Sequence, residues 1–371
     1  MSEKGQAPPP RVCFLAERQV GIGSAAGALE PYVRAHANVT WLDVTYRKDG
    51  GFIERLPFPG RVGGTLRGYL QTGAALRRGP FDALFFLTHN PAVLRQSAVR
   101  RTPTLLWTDV TPALLDEQAD QYAHTVDKST LARSLKHALV RRTFRSAAFC
   151  VGWSEWARRS FIKDYGVRED CTAVVAPGLD LARWSMPERR VEVGLPRLLF
   201  VGGDFQRKGG DLLLAVFREH FRGRCELDLV TRDPVPEEAG VRVHRGLTAN
   251  SDALLALYQA ARAFVLPTRG DCYSIASLEA MARGLPVIVT NVGGIADIVE
   301  TNVTGLLVEA NDGSALRTAL DALLTKPERC VEMGRLGRRR IEQHFDASKT
   351  AHALMALLGE MIARKRLNEQ M

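Results

Sequence analysis

The chain has 371 residues, 46% of them apolar and 25% charged, which are the proportions of a soluble globular protein with room for two cores of ordinary size. No apolar run reaches bilayer-spanning length, and six scattered cysteines, with no C-x-x-C and no clustered histidine, argue against a metal site and a disulfide framework. The net charge of +9 sits almost wholly in residues 1–185, which hold 25 Lys+Arg against 17 Asp+Glu, while residues 186–371 hold 25 against 24; a solvated basic surface is the simplest reading, with an anionic lipid surface, a phosphorylated acceptor or nucleic acid as the acidic partners to weigh.

Residues 1–10, MSEKGQAPPP, lack the apolar region of a signal peptide and read as a disordered lead. Arg11–Ala16 is the first strand, followed by the glycine-bearing turn GIGSAAG and a helix to about Ala35. Gly21, Gly23 and Gly27 resemble a dinucleotide fingerprint, a weak signal. No acid closes the second strand cleanly, Asp43 lying inside it, which argues against a nicotinamide site. A close backbone approach to a phosphate or sugar at Gly23 remains reasonable. Further strands fall at 39–44, 83–87, 104–107, 148–152 and 172–175, with helical patterns at 131–144 and 154–164 between them. The run from Lys128 to Arg145 mixes six cations with Leu, Val and Phe at helical spacing. It is read as a core-facing helix with a solvated basic side, the alternative being a helix lying on an anionic bilayer.

At Ala176-Pro-Gly-Leu-Asp180 the alternation breaks, and a charged linker runs from Pro187 to Pro196. The pattern restarts with strands at 197–201, 226–230, 241–244, 263–266, 287–290 and 305–308, and helices at 210–221, 251–261, 274–283, 295–301 and 313–324. A helical tail follows from about Pro327 and ends in a basic stub. Strand–helix alternation of this kind predicts an α/β fold of two doubly wound parallel sheets. The expected divisions are 1–10, 11–185, 186–345 and 346–371.

Two strand-to-helix turns of the second half carry the chemistry. In Val201-Gly-Gly-Asp-Phe-Gln-Arg-Lys-Gly-Gly210, glycines let the backbone approach a ligand, and Arg207 and Lys208 stand at a helix's positive end, where a diphosphate is favoured. In Ala263–Gly284, a buried strand is stopped by Pro267, Asp271 precedes a helix, and Glu279 lies within it. Two carboxylates at an anion-attracting helix end suit a polyhydroxylated, phosphorylated ligand; an ordinary acid at a helix N-terminus is the plain alternative. Both turns lie at carboxyl ends of parallel strands, where ligands of open α/β sheets bind.

These motifs together resemble the retaining, nucleotide-sugar-dependent glycosyltransferases of the GT-B fold, glycosyltransferase family 4. The likeness covers most of residues 150–345. It rests on the glycine–Lys-Gly element at Lys208, on Asp271-x7-Glu279 followed by Ala-Met-Ala-x-Gly-x-Pro-Val, on Gly293-Gly294, on Thr304-Gly-Leu-Leu-Val308, and on the Ala176–Asp180 linker. The resemblance implies two Rossmann-like domains facing a cleft, the first for the acceptor and the second for the donor, with a C-terminal helix packing back on the first. It implies metal-independent transfer of a hexosyl group, without a cofactor, from a nucleoside-diphosphate sugar to an unidentified acceptor, with a carbohydrate, a glycolipid or another anionic molecule as the candidates. No nucleic acid partner is expected, and the location is cytoplasmic, a peripheral place at the inner face of the membrane being the alternative.

By the same resemblance, Gly202, Arg207 and Lys208 hold the diphosphate and Glu279 the ribose. Asp271 meets the transferred sugar, beside the backbone N–H groups of Cys272, Tyr273 and Ser274. Residues 245–250 face the base. The family's usual Arg after the strand glycine is Gly203 here, with Arg207 as its expected substitute, and the first acid is Asp271 where Glu is usual. In the first half the family's histidine position falls on Thr108 or Asp109, Asp109 being preferred, and ordinary loop chemistry explains His89. A nucleotide-sugar epimerase and a non-catalytic nucleotide-sugar or anionic-surface binding protein are the rival readings.

Overall fold

The structure is a computed structural model that describes residues 9–17, 21–46, 60–122, 129–186 and 194–370. Most of the N-terminal lead, most of the 187–196 linker and Lys128 therefore lie outside the described residues. The chain forms two units. One contains the described residues up to Leu114, those from 129 to Pro177, and those from Ala347 onward; the other contains 115–122 and the residues from Gly178 to Asp346.

The first unit is built on strands β1 (Arg11–Glu17), β2 (Asn38–Val44), β3 (Ala83–Leu87), β4 (Thr104–Thr108), β5 (Phe149–Gly152) and β6 (Thr172–Val174). They form one parallel sheet in the order β2-β1-β3-β4-β5-β6. Its helices in chain order are α1 (Ile22–His36), α2 (Gly60–Leu76), α3 (Asn90–Val93), α4 (Gln96–Arg101), α5 (Pro112–Glu117, partly in the second unit), α6 (Thr130–Ser146) and α7 (Glu155–Lys163). Strands buried on both faces supply two apolar layers, as parallel sheets require. On one side Cys13, Leu15, Leu84, Phe86, Leu106 and Cys150 pack with Val140 and Phe144 of α6 and Phe161 of α7. On the other, Phe14 stacks on Phe85 at 4.5 Å and Phe85 meets Trp107 at 6.0 Å. Asp43 accepts a hydrogen bond from Trp41 Nε1 at 2.9 Å, which gives it a local role within its strand.

The second unit repeats the plan with β7 (Arg197–Val201), β8 (Glu226–Val230), β9 (Val241–His244), β10 (Ala263–Leu266), β11 (Val287–Thr290) and β12 (Gly305–Val308). These are parallel and ordered β12-β11-β10-β7-β8-β9. Its helices are α8 (Gly210–His220), α9 (Asp252–Ala260), α10 (Ile275–Ala282), α11 (Ile295–Ile298), α12 (Gly313–Leu324) and α13 (Pro327–His344). Several start where a short polar side chain satisfies an orphan N–H. Ser251 accepts from Leu254, Ser274 from Ser277 and Asp312 from Ala315, at 2.8–3.3 Å. The expected helical tail breaks at Phe345, whose carbonyl accepts from Leu179 N–H at 2.8 Å. The last helix, α14 (Ala347–Gln370), then belongs to the first unit, where it packs on α1 and Thr350 donates to the Ala176 carbonyl. Among the described residues no helix is long and apolar enough to cross a membrane.

His89, just beyond β3, is buried with Nδ1 lacking a hydrogen-bond partner among the described residues, and its ring meets Phe144 edge-on at 5.9 Å. Burial, assisted by the charge of Lys136, lowers its pKa from 6.5 to about 4. The folded chain therefore refuses a proton that the unfolded chain accepts, and stability falls as pH drops from 6.5 towards 4. Urea unfolding of the His89→Leu variant is expected to lack this loss, which in the parent is on the order of 2 kcal/mol between pH 6.5 and 5.

Candidate functional site

In the second unit the turn after β7 enters α8 through Gly209, held at φ +73°, where an added Cβ would lie 1.9 Å from the Pro267 carbonyl oxygen. Only glycine allows that approach, so the start of α8 is pressed against the end of β10. The Arg269 N–H and the Thr268 hydroxyl both donate to the Arg207 carbonyl, at 2.8 and 3.2 Å, locking the two turns together. The Arg207 guanidinium bonds Asp204 at 3.1 Å and the Gly270 carbonyl at 2.8 Å, and lies 4.4 Å over the ring of Tyr122. Lys208 Nζ donates to Asp271 Oδ2, both side chains being largely buried.

Asp271 is fixed from its other side as well. Gly293, at φ +56°, brings the loop after β11 so near that an added Cβ would lie 1.9 Å from the Asp271 carbonyl oxygen. Gly294 N–H donates to the Cys272 carbonyl at 3.0 Å. Ser274 then caps α10, which is buried on nearly every side, Ala276 alone being half-exposed. Glu279 is carried in that apolar helix. Its carboxylate accepts from Tyr258 Oη at 2.9 Å, and burial, opposed by that bond, raises its pKa from 4.5 to about 7.

The structure thus brings Gly202, Arg207, Lys208, Asp271 and Cys272 to one end of the second sheet, with Glu279 further along α10. An added Cβ on Gly202 would meet Lys208 Cβ at 2.9 Å, so this glycine seats the lysine. The groups are engaged with one another: the cation expected at a diphosphate holds the acid expected at a sugar. The backbone N–H of Cys272 is also taken, donating to Tyr122 Oη at 3.1 Å. Burial, then the neighbouring Cys272 and Asp271, push the Tyr122 phenol far up, so it is neutral. Tyr273 is buried beside this site, and its phenol is likewise raised by burial.

Three residues escaped sequence reasoning. Tyr122 comes from residues 115–122, a short stretch belonging to the second unit, and no periodicity announced that visit. Gln118 places a buried Oε1 near Gly270 with no described hydrogen-bond partner. Arg232, from the turn after β8, lies over Gly203, where an added Cβ would come within 2.9 Å of its guanidinium. A cation thus stands over the position where the family's arginine was expected, supplied by another strand. In residues 245–250, Arg245 donates to the Val235 carbonyl, and Asn250, at φ +61°, accepts from Trp184 Nε1 at 2.9 Å.

In the first unit Gly23 falls inside α1, since the helix starts at Ile22 and the expected turn is shorter than foreseen. No described residue lies within 4 Å of a Cβ added to it, so packing among the described residues does not require glycine there. Asp109 follows β4, with the Thr108 hydroxyl 3.3 Å from its Oδ1. Glu17 ends β1, almost fully buried, and accepts from Thr88 Oγ1, while Thr88 follows β3 at φ +81°. A β-branched residue at positive φ is strained, and such strain collects at functional edges. The carboxyl edge of the first sheet therefore carries Glu17, Thr88 and Asp109 on the neighbouring strands β1, β3 and β4.

Residues 195–326 match the family described as Glycosyl transferases group 1. Among curated proteins, the chain is 31% identical over 212 residues to glycogen synthase of Mycobacterium tuberculosis, covering 52% of this chain and 51% of that protein. It is 30% identical over 225 residues to D-inositol 3-phosphate glycosyltransferase of Nocardia farcinica, covering 54% and 49%. The chain spans about half the length of the curated relatives it matches. Among solved structures, sucrose-phosphate synthase of Thermosynechococcus elongatus shares the fold with a TM-score of 0.77 at 16% identity, covering 96% of this chain and 100% of that one. Anabaena HepE, solved in complex with UDP-glucose, does so at 0.71 and 15%, covering 95% and 100%. The two-sheet α/β architecture is that of the GT-B glycosyltransferase structures.

Because Lys208 and Asp271 are both withdrawn from water, removing one leaves the other buried and unpaired. Lys208→Met is expected to cost on the order of 3 kcal/mol, and the double variant Lys208→Met/Asp271→Leu distinctly less, as read by chemical denaturation.

Proposed function

We propose that this protein is a retaining glycosyltransferase that moves a hexosyl group from a nucleoside-diphosphate sugar to an acceptor. The observation that carries the reading is the meeting of Lys208 and Asp271, delivered by turns 63 residues apart to the carboxyl edge of one sheet, with the start of α10 beside them. An anionic diphosphate exchanges for Asp271 at Lys208, with Arg207 and Arg232 nearby as further cations. Asp271, released from the lysine, is then a free acceptor for sugar hydroxyls. The match of residues 195–326 to group 1 transferases, and the relatives named above, support the same assignment.

In the proposed transfer the bond from the anomeric carbon to the diphosphate oxygen breaks while negative charge gathers on the leaving group, where fixed cations and helix N–H groups oppose it. The acceptor oxygen bonds the anomeric carbon on the face just vacated. Its proton passes to a diphosphate oxygen, so no protein base is required. Gly202 and the N–H groups of Cys272, Tyr273 and Ser274 complete the donor site, Tyr122 yielding Cys272 to the ligand. Glu279 holds the ribose, Gly23 gives a close backbone approach to the donor, and Asp109 belongs to the acceptor side. Neither a metal nor a cofactor has a part in the reading. The six cysteines, none of them in a disulfide, suit the reducing cytoplasm.

A thermal-shift panel of nucleoside diphosphates and their sugars tests this directly. A member at 100 times its Kd adds roughly 2.7 kcal/mol of stability, and no response from any member by the folded protein would sink the proposal. Lys208→Ala is expected to weaken the responding ligand about tenfold or more. Turnover of a labelled donor only when acceptor is present separates transfer from epimerisation and from mere binding.

Glu279 adds a pH signature. A raised carboxyl pKa gives stability that is complete below pH 4.5 and is lost as pH rises through about 7. Glu279→Gln removes that loss, so the variant should outlast the parent at pH 8 by on the order of 2 kcal/mol. Its donor affinity should also lose the rise that the parent shows as the carboxyl ionises between pH 6 and 8.

A further inference from the structure

The sequence reading took the basic helix α6 as core-facing, and the structure corrects which residues face the core. Val140, Thr143 and Phe144 are the buried ones, whereas Leu131, Leu135 and Leu139 are 69%, 63% and 46% exposed. At about 100° per residue the three leucines lie within about 80° of one another, and their mean direction points about 140° away from Val140. The helix therefore has a second apolar stripe, turned to solvent. Every residue from 129 to 139 is exposed, so nothing in the described chain covers its first three turns, apart from the His137 ring stacked on Tyr165.

The charge around that stripe is of one sign. α6 holds Arg133, Lys136, Arg141, Arg142 and Arg145 and no carboxylate. None of Arg133, Lys136, Arg142 and Arg145 is ion-paired with a described residue. On the helical wheel Arg142 falls within the arc of the leucines, one turn beyond Leu139, while Arg145 flanks that arc on one side and Lys136 on the other. A neighbouring patch extends the surface. Gln96 donates to the Leu139 carbonyl and to Thr143 Oγ1, each at 2.8 Å, and the preceding Arg95 lies 3.6 Å over the ring of Tyr69 on α2. Tyr69 and the adjacent Leu70 are themselves 45% and 53% exposed.

We infer that this face of the first unit, α6 together with Tyr69 and Leu70 of α2, docks on an anionic lipid bilayer. Exposed leucines enter the boundary between headgroups and acyl chains, the arginines and lysine meet the lipid phosphates, and Tyr69 takes the interfacial place that aromatic rings with a polar tip prefer. The cations decide against a second copy of this chain. A two-fold contact would set five positive charges against the same five, with no acid on either helix to answer them. The inference stands on this surface alone and is independent of the donor chemistry.

The test is co-sedimentation of the full chain with vesicles of phosphatidylcholine alone and of equal parts phosphatidylcholine and phosphatidylglycerol, at low and physiological salt. Binding is expected on the anionic vesicles only, weakened by salt. The triple variant Leu131→Gln/Leu135→Gln/Leu139→Gln changes exposed positions only, and should keep its melting temperature while binding falls about tenfold or more. The variant Arg142→Glu/Arg145→Glu should lose binding with all three leucines in place. Absence of binding to anionic vesicles, equal binding to both kinds, or retention by the triple variant would each overturn the inference. So would a dimer, seen by light scattering, that the triple variant converts to a monomer.

Discussion

The second unit is organised around a cation and a carboxylate taken out of water together. Lys208 and Asp271 are separated by three strands and two helices in the chain, yet β7 and β10 are neighbours in the sheet, so their outgoing turns meet. Such a pair is tolerable only if the geometry is held, because either charge alone in that place would be costly. Two glycines hold it. Gly209 lets α8 begin against the Pro267 carbonyl, and Gly293 lets the loop after β11 close over the Asp271 carbonyl. Three loops from three strands are thereby interlocked at backbone distance, and the side chains they carry have little freedom left. For the proposed transfer, such preorganisation means that these groups do not need to order themselves when charge develops on the ligand.

The two acids of this region owe their different characters to their surroundings. Asp271 has a cation against it. Glu279 rides in a helix with almost no polar face and, among the described residues, has the Tyr258 hydroxyl as its side-chain partner, so burial governs its proton. One carboxylate is bonded to a cation and the other holds its proton more tightly through burial, from residue types that differ by one methylene.

A similar contrast separates the two faces of α6. Its second half is anchored by Val140, Thr143 and Phe144 in the core of the first unit, whereas its first half presents leucines and cations to solvent. A helix of a folded domain is normally held by one apolar stripe. Here the anchoring stripe is short, and the longer one has been left outside.

Strand positions were the most legible feature. The twelve strands of the described residues fall where short apolar runs bounded by Gly, Pro and polar clusters put them, within about a residue at each end, and most are buried on both faces, which admits little else. The fold class followed from their alternation with helices. The short helices α3, α4 and α5 were not foreseen, four to six residues being too few to show a period. Lys208, Asp271 and Glu279 could be singled out because glycines and helix starts punctuate the chain around them. Their mutual bonding could not, since it depends on the order of strands in the sheet. The same holds for Tyr122, whose hydroxyl reaches Cys272 from 150 residues away, and for Arg232 over Gly203. Local pattern determined which residues form strands, helices and turns, because burial and backbone sterics act over a few residues. Only the tertiary structure decided which charge meets which, and which leucines of α6 stay outside, because those outcomes are settled by neighbours distant in the chain.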